Sequence, residues 1–319
     1  ESSAMIGSLV VASAPLLLLS KDAPVRDVLF LISILIIALI PLTSVPLLAK
    51  VRNRDAKIQL EGNFYIGLKK LTKNGPMLRF LFAYSFLQIS VGVLNSVAIF
   101  LVDTGFGLPG EFFFLFFIEY VVGVLFAIYV VRLASKHGKH VVLSCALVVM
   151  VAIFLIGFLL PTGSYAPVVI WICVLGAIFS CIAILPLSIL ADIVDYDTAS
   201  FGQAQTGTYV AITNLTMKLG LALGVGIAYG FLEWVGFSPS AHQHTAQDVF
   251  KVRLAGLGIT SVLLIPAIYI LWTFPITKKV QRELQQKIQA HRDSENSSEG
   301  RNAKEASKVA AVSLLVDNG

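Results

Sequence analysis

FFFLFFIEYVVGVLFAIYVV (residues 112–131), RLASKHGKH (132–140) and VVLSCALVVMVAIFLIGFLL (141–160) follow one another and decide the fold. About 20 mainly apolar residues, at 1.5 Å rise per residue, are enough to cross the hydrocarbon of a bilayer as a helix. Both apolar blocks meet that length, and the link between them is short and basic. The stretch reads as two membrane spans joined by a cytoplasmic turn.

Outward from this pair, the same ruler finds eight apolar runs in all: roughly 4–20, 28–48, 77–102, 112–131, 140–160, 167–191, 205–232 and 253–275. The first is short and contains Pro15. It does not read as a signal peptide, because Glu1 opens the chain and no basic region precedes the apolar residues. Composition agrees with the spans. Of 319 residues, 56% are hydrophobic and 13% charged, with a mean hydropathy of +0.82. A soluble domain carries about 25% charged residues to solvate its surface, so most of this surface must face lipid. The expected fold class is all-α, a polytopic helical membrane bundle. The net charge of +5 is small and scattered, so no nucleic-acid partner is expected. Cys145, Cys173 and Cys181 all lie in apolar runs without CxxC spacing, which argues against a disulfide framework or a metal site.

Loop charge predicts the orientation. Lys50, Arg52, Arg54, Lys57, Lys69, Lys70, Lys73, Arg79, Arg132, Lys136 and Lys139 flank one set of connections. Only Lys21, Arg26, Lys251 and Arg253 flank the alternate set. Eleven cations against four place 49–76, 132–139 and the C-terminus in the cytoplasm by the positive-inside rule. An even number of spans puts the N-terminus there too, in the plasma membrane, which for a bacterial cell is the inner one.

Several motifs look like chemistry and are not. GFGLPG, residues 105–110, spells the dinucleotide fingerprint, but it joins two spans and has no βαβ unit around it. Asn214-Leu-Thr216 falls mid-membrane and Asn296-Ser-Ser298 in a cytoplasmic tail, so neither reads as glycosylated. The sequence contains no Walker A, HExxH or GxSxG pattern, so neither an enzyme nor a bound cofactor is expected.

Ionisable side chains at mid-bilayer cost at least about 2.5–3.5 kcal/mol and by default suggest function. Lys218 is central in the 205–232 run and Glu119 in the 112–131 run. The blander alternatives are a structural ion pair for Lys218 and, for Glu119, a neighbour such as Tyr120 that keeps the carboxyl protonated. Tyr84, Gln88 and Asn95 fall within about 40° of one another at 100° per residue. That stripe suits a hydroxyl-rich ligand, or else plain interhelical hydrogen bonding. With Asn214 these residues form the expected substrate and cation site: Lys218, Asn214, Tyr84, Gln88, Asn95 and Glu119. Gly220/Gly224 and Gly226/Gly230 carry small-xxx-small spacing, which lets helices approach closely. Asp192 and Asp195 share a helix face at the cytoplasmic end of their run. Arg132, Lys136 and Lys139 end another run on that side, so an ionic gate is one reading and solvated helix-end acids the other. Pro186 is a plausible kink point.

PLSILADIVDYD, YVAITNLTMKLGLALGVGI with its central Lys218, FPITKKVQRELQQKI and the RLASKHGKH loop together resemble the glycoside–pentoside–hexuronide:cation symporters. These are the melibiose-permease-like branch of the major facilitator superfamily. The resemblance covers the chain as helices five to twelve. It implies symport of a sugar-like solute with Na⁺, H⁺ or Li⁺ by two bundles rocking about a midplane site. It also implies that Lys218 lies near the cation and sugar sites, opposite carboxylates of the N-terminal bundle. The chain differs at Gln203-Ala204-Gln205, where relatives often carry a basic cluster.

With the internal repeats usual in secondary transporters, the expected organisation is a fragment of a twelve-helix protein. Residues 1–48 would be the last two helices of the N-terminal bundle, 49–76 the central cytoplasmic loop and 77–276 the six-helix C-terminal bundle. Residues 277–319 would be a cytoplasmic tail, with a polar helix at Lys278–Arg292 and a stretch of low hydrophobicity after it. The expected function is cation-coupled symport of a sugar or glycoside, its partners being the solute, a coupling Na⁺ or H⁺ and the lipid bilayer. A lysolipid carrier of the same fold and a non-transporting membrane sensor are the alternatives.

Overall fold

The computed structural model describes residues 74–201, 206–239 and 245–276, together with scattered helical residues between Arg26 and Val45. The run at 4–20, about half of 28–48, the loop from 49 to 73, Gln203-Ala204-Gln205 and the tail from 277 lie outside the described residues.

The described residues are helical apart from short connections. Helix α1, Gly75–Phe100, continues through a π-helical turn, Leu101–Gly105. Helices α2 (Phe112–His137), α3 (Lys139–Leu159), α4 (Tyr165–Phe201) and α5 (Thr206–Trp234) follow. The last span is composite: α6 (Ala246–Arg253), a π-helical turn (Leu254–Ile259) and α7 (Thr260–Trp272). Six of these units are long and apolar enough to cross a membrane. No strand occurs among the described residues, as the apolar runs predict.

Local chemistry sets the ends. Asn74 caps α1 by accepting from the Met77 amide at 3.0 Å, and Pro76 sits in the first turn, where its missing N–H is harmless. Gly138 separates α2 from α3 at φ +100°, a backbone that disfavours any residue with a Cβ. The last span opens at Ala246 rather than at 253, because Thr245 and Asp248 form a reciprocal capping box. Helix α4 likewise runs ten residues past the predicted end at 191, since ADIVDYD contains no helix-breaking residue. Pro186 lies inside α4.

Helix α1 packs most extensively on α5, α2 on α4, and α7 on both α1 and α3. Small residues make the α1–α5 seam. A Cβ on Gly92 would lie 2.7 Å from the Leu221 carbonyl oxygen, and one on Gly220 would lie 2.7 Å from the Gln88 Cβ. One on Gly224 would lie 2.7 Å from the Gly92 Cα. Gly226 and Gly230 meet nothing within 4 Å, so only the first small-xxx-small pair is used inside this bundle. Large apolar side chains such as Leu125, Ile128, Leu155, Ile170, Val262 and Ile265 remain exposed on the outside. In a bilayer that surface faces lipid.

Arg253 fastens the end of the bundle that the loop charges predict to be extracellular. Its side chain is buried, and Nε donates to the Gly105 carbonyl at 2.9 Å. Nη1 reaches the Phe158 carbonyl at 2.8 Å and Nη2 that of Leu160 at 2.7 Å. These carbonyls close the π turn after α1 and the end of α3, where intrahelical partners run out. One guanidinium thus caps two helices, and it also lies 5.5 Å from the centroid of the Phe106 ring.

Candidate functional site

The expected site residues separate into two neighbourhoods. Asn95 from α1 and Glu119 from α2 line one cavity with Phe106, Phe112, Phe116, Trp171, Phe179 and aliphatic neighbours. Its volume is about 50 Å3. Gly176 of α4 is packed against the Glu119 backbone so closely that a Cβ there would collide with the Glu119 carbonyl. That contact sets where α2 crosses α4, and so where the Glu119 side chain starts. Among the described residues none donates a hydrogen bond to the Glu119 carboxyl and no cation pairs with it. The two residues are 24 positions apart, and the sequence gives no sign that they share a cavity.

Lys218 and Asn214 lie elsewhere. Helix α5 buries Tyr209, Thr213, Gly220, Gly224, Ala228 and Leu232. At 100° per residue Lys218 falls on the opposite side of the helix from Gly220, and both Lys218 and Asn214 are exposed. No described residue pairs with the Lys218 ammonium, although it sits at the middle of a 29-residue membrane-length helix. The α1 stripe is divided among different neighbours. Tyr84 stacks on Phe80 with ring centroids 5.4 Å apart. Gln88 is buried in the seam where Gly220 approaches, and Asn95 opens into the Glu119 cavity.

At the end predicted to be cytoplasmic, Asp192 is buried and pairs with Lys139 at 2.6 Å, while Lys139 also donates to the Ser188 carbonyl at 3.0 Å. Solvated helix-end acids are therefore the wrong description of Asp192. The basic residue that meets it is Lys139 at the head of α3, whereas Arg132 and Lys136 are exposed on the last turns of α2. Asp195 is half-buried.

Sequence reasoning passed over a second polar knot beside this pair. Asn74 Nδ2 donates to Asp197 Oδ1 at 3.2 Å and lies 3.3 Å from the Tyr209 hydroxyl, which itself hydrogen-bonds Asp197. All three are buried, and they tie the start of α1, the end of α4 and the start of α5 together. ADIVDYD pointed to a cluster of acids, but only burial distinguishes Asp197 from a solvated helix-end acid. Among the described residues no group of His, Cys, Asp and Glu is arranged to hold a metal ion. GFGLPG is a connection, with Gly107 and Gly110 at φ +68° and +79°.

Residues 1–278 match the model of the family described as MFS/sugar transport protein. An uncharacterized symporter of Synechocystis sp. is 29% identical over 113 residues, which is 34% of this chain. The match spans only 21% of that relative's length. A match over most of the chain, joined to an all-helical bundle of membrane-length spans, points to a membrane transporter rather than an enzyme. The chain belongs to the MFS/sugar transport protein family.

Proposed function

We propose that the chain is the C-terminal part of a secondary active transporter that carries a sugar or glycoside together with a cation by alternating access. The observation that carries this reading is the placement of Lys218 and Asn214. A charged residue at the middle of a span is retained where it faces a bundle interior, a polar passage or a partner charge. Here the described residues of the bundle supply none of these to the ammonium, because α5 turns its glycine face to α1 and Lys218 away from it. The exposed face of α5 is thus the wall of a polar passage completed from outside the bundle, and the counter-charge of Lys218 comes from there. Such passages near the bilayer midplane are where solutes bind in carriers of this architecture. The similarity to an uncharacterized symporter of Synechocystis sp. supports symport. The charge asymmetry of the loops supports cytoplasmic termini in the plasma membrane.

Uptake of radiolabelled glycosides into vesicles, with and without an imposed Na⁺ or H⁺ gradient, tests this function. Lys218→Ala abolishes accumulation at equal membrane abundance, and Lys218→Arg does not restore it, because a planar guanidinium does not replace a compact ammonium. Full gradient-driven accumulation by Lys218→Ala would show that the lysine is structural.

A further inference from the structure

We propose that the Glu119 cavity is a proton site, and that the coupling ion of this transporter is a proton carried on the Glu119 carboxyl. The inference rests on the transport reading above and deepens it by naming the ion and the residue that holds it.

Three features of the cavity support it. Its volume of about 50 Å3 admits a few waters and excludes a pyranose ring, so Glu119 is not a sugar ligand in this arrangement. Among the described residues its side-chain oxygens are those of Glu119 and Asn95 alone, the remaining lining being Phe, Trp, Leu, Ile, Val and Ala. A metal cation needs a shell of several oxygens, and the backbone carbonyls of the surrounding spans are largely engaged in their own helices. A proton needs one lone pair. Finally, no described residue bonds to the carboxyl. A bare carboxylate against apolar walls is costly unless it is paired or protonated, so a proton completes this site with nothing further.

The surrounding titratable groups do not compete. The elements packed about Glu119 are α1 with its π turn, α2 and α4. Asp103 on the π turn accepts from the Gly110 amide at 3.2 Å. Tyr120 rests its ring on Phe116 with centroids 4.7 Å apart. Glu111 precedes α2, Cys173 and Cys181 lie on α4, and none of these lines the cavity. The Trp171 indole N–H, which does line it, donates to the Ile153 carbonyl at 2.8 Å. Asn95 is the polar neighbour left to hydrogen-bond the carboxyl in either protonation state, across water or directly after a small movement of α2.

Two arms test the proposal on the purified transporter. In lipid nanodiscs, infrared difference spectra across a pH titration should show a carbonyl stretch of a protonated carboxylic acid. Glu119→Gln, a near-isosteric change, should lose that band, and Asp103→Asn should keep it. An unchanged band set in Glu119→Gln overturns the proposal whatever the solute. In proteoliposomes supplied with radiolabelled methyl glycosides, a pH step of one unit supports up to about tenfold accumulation by one-proton symport. Glu119→Gln should only equilibrate the label while still exchanging it across the membrane. Accumulation by Glu119→Gln equal to the parent, or accumulation by the parent under a Na⁺ gradient alone, overturns the proton assignment but leaves symport standing. If the parent carries no glycoside while the infrared band behaves as stated, the sugar reading falls and the proton site survives.

Discussion

Arg253→Ala would remove three charge-assisted hydrogen bonds to backbone carbonyls, at 2.9, 2.8 and 2.7 Å. Each such bond is worth about 1.5–3 kcal/mol. The three share one side chain, so the contributions do not add fully. A loss of about 2–4 kcal/mol is the expected result, close to that for breaking a buried ionic contact. For a chain of this size that lowers the midpoint of thermal unfolding by on the order of 10 °C. Arg253→Lys keeps the charge but loses the planar fork. A single ammonium cannot serve three carbonyls belonging to two helix ends, so about half of the loss should remain. The assay is thermal unfolding in detergent followed by tryptophan fluorescence. Trp171 is a local reporter, since its ring lies 5.2 Å from Phe106, against which the guanidinium packs. An unchanged midpoint in Arg253→Ala, or a lysine variant as damaged as the alanine variant, would refute the double-cap account.

Two further outcomes follow from the packing. Gly224→Ala should destabilise the bundle by about 1–3 kcal/mol, the cost of overpacking, because its methyl group would meet backbone at Ile89 and Gly92 that cannot move aside. Gly226→Ala, facing open space, should be neutral or gain a few tenths of a kcal/mol from helix propensity, and the same unfolding assay separates them. Asp192→Asn and Lys139→Gln should each cost about 1–2 kcal/mol, less than a fully buried pair because the lysine side chain is 23% exposed. The double variant should lose at least about 0.5 kcal/mol less than the sum, and strict additivity would show that the 2.6 Å contact is not energetic.

The candidate site was only partly legible. Lys218 was visible because a charge in the middle of an apolar run violates the local pattern, and so was Glu119. Their surroundings were not, since a periodic pattern names a face of a helix but not what lies against it. The stripe of Tyr84, Gln88 and Asn95 shows this. Three residues on one face of α1 meet three different environments, because a helix 26 residues long crosses several neighbours along its length. Arg132, Lys136 and Lys139 looked alike as loop cations. Lys139 begins α3 beside α4, and that position sets it against Asp192.

What the sequence determined by itself is the class of fold: helical spans of bilayer length. Hydrocarbon admits no unsatisfied backbone, so an apolar run of that length has helix as its one spanning form here. The span ends moved by several residues because caps, not hydropathy, stop a helix, as Thr245 and Asp248 do for the last span. The tertiary structure decided everything that depends on distance across the chain. Arg253 caps carbonyls 148, 95 and 93 residues away, and Asn74 meets Asp197 and Tyr209 at separations of 123 and 135. Lipid gives no hydrophobic incentive for one helix face over another, so the pairing of spans rests on close steric fit and a few polar contacts. Those are properties of two surfaces together, which no single run of residues carries.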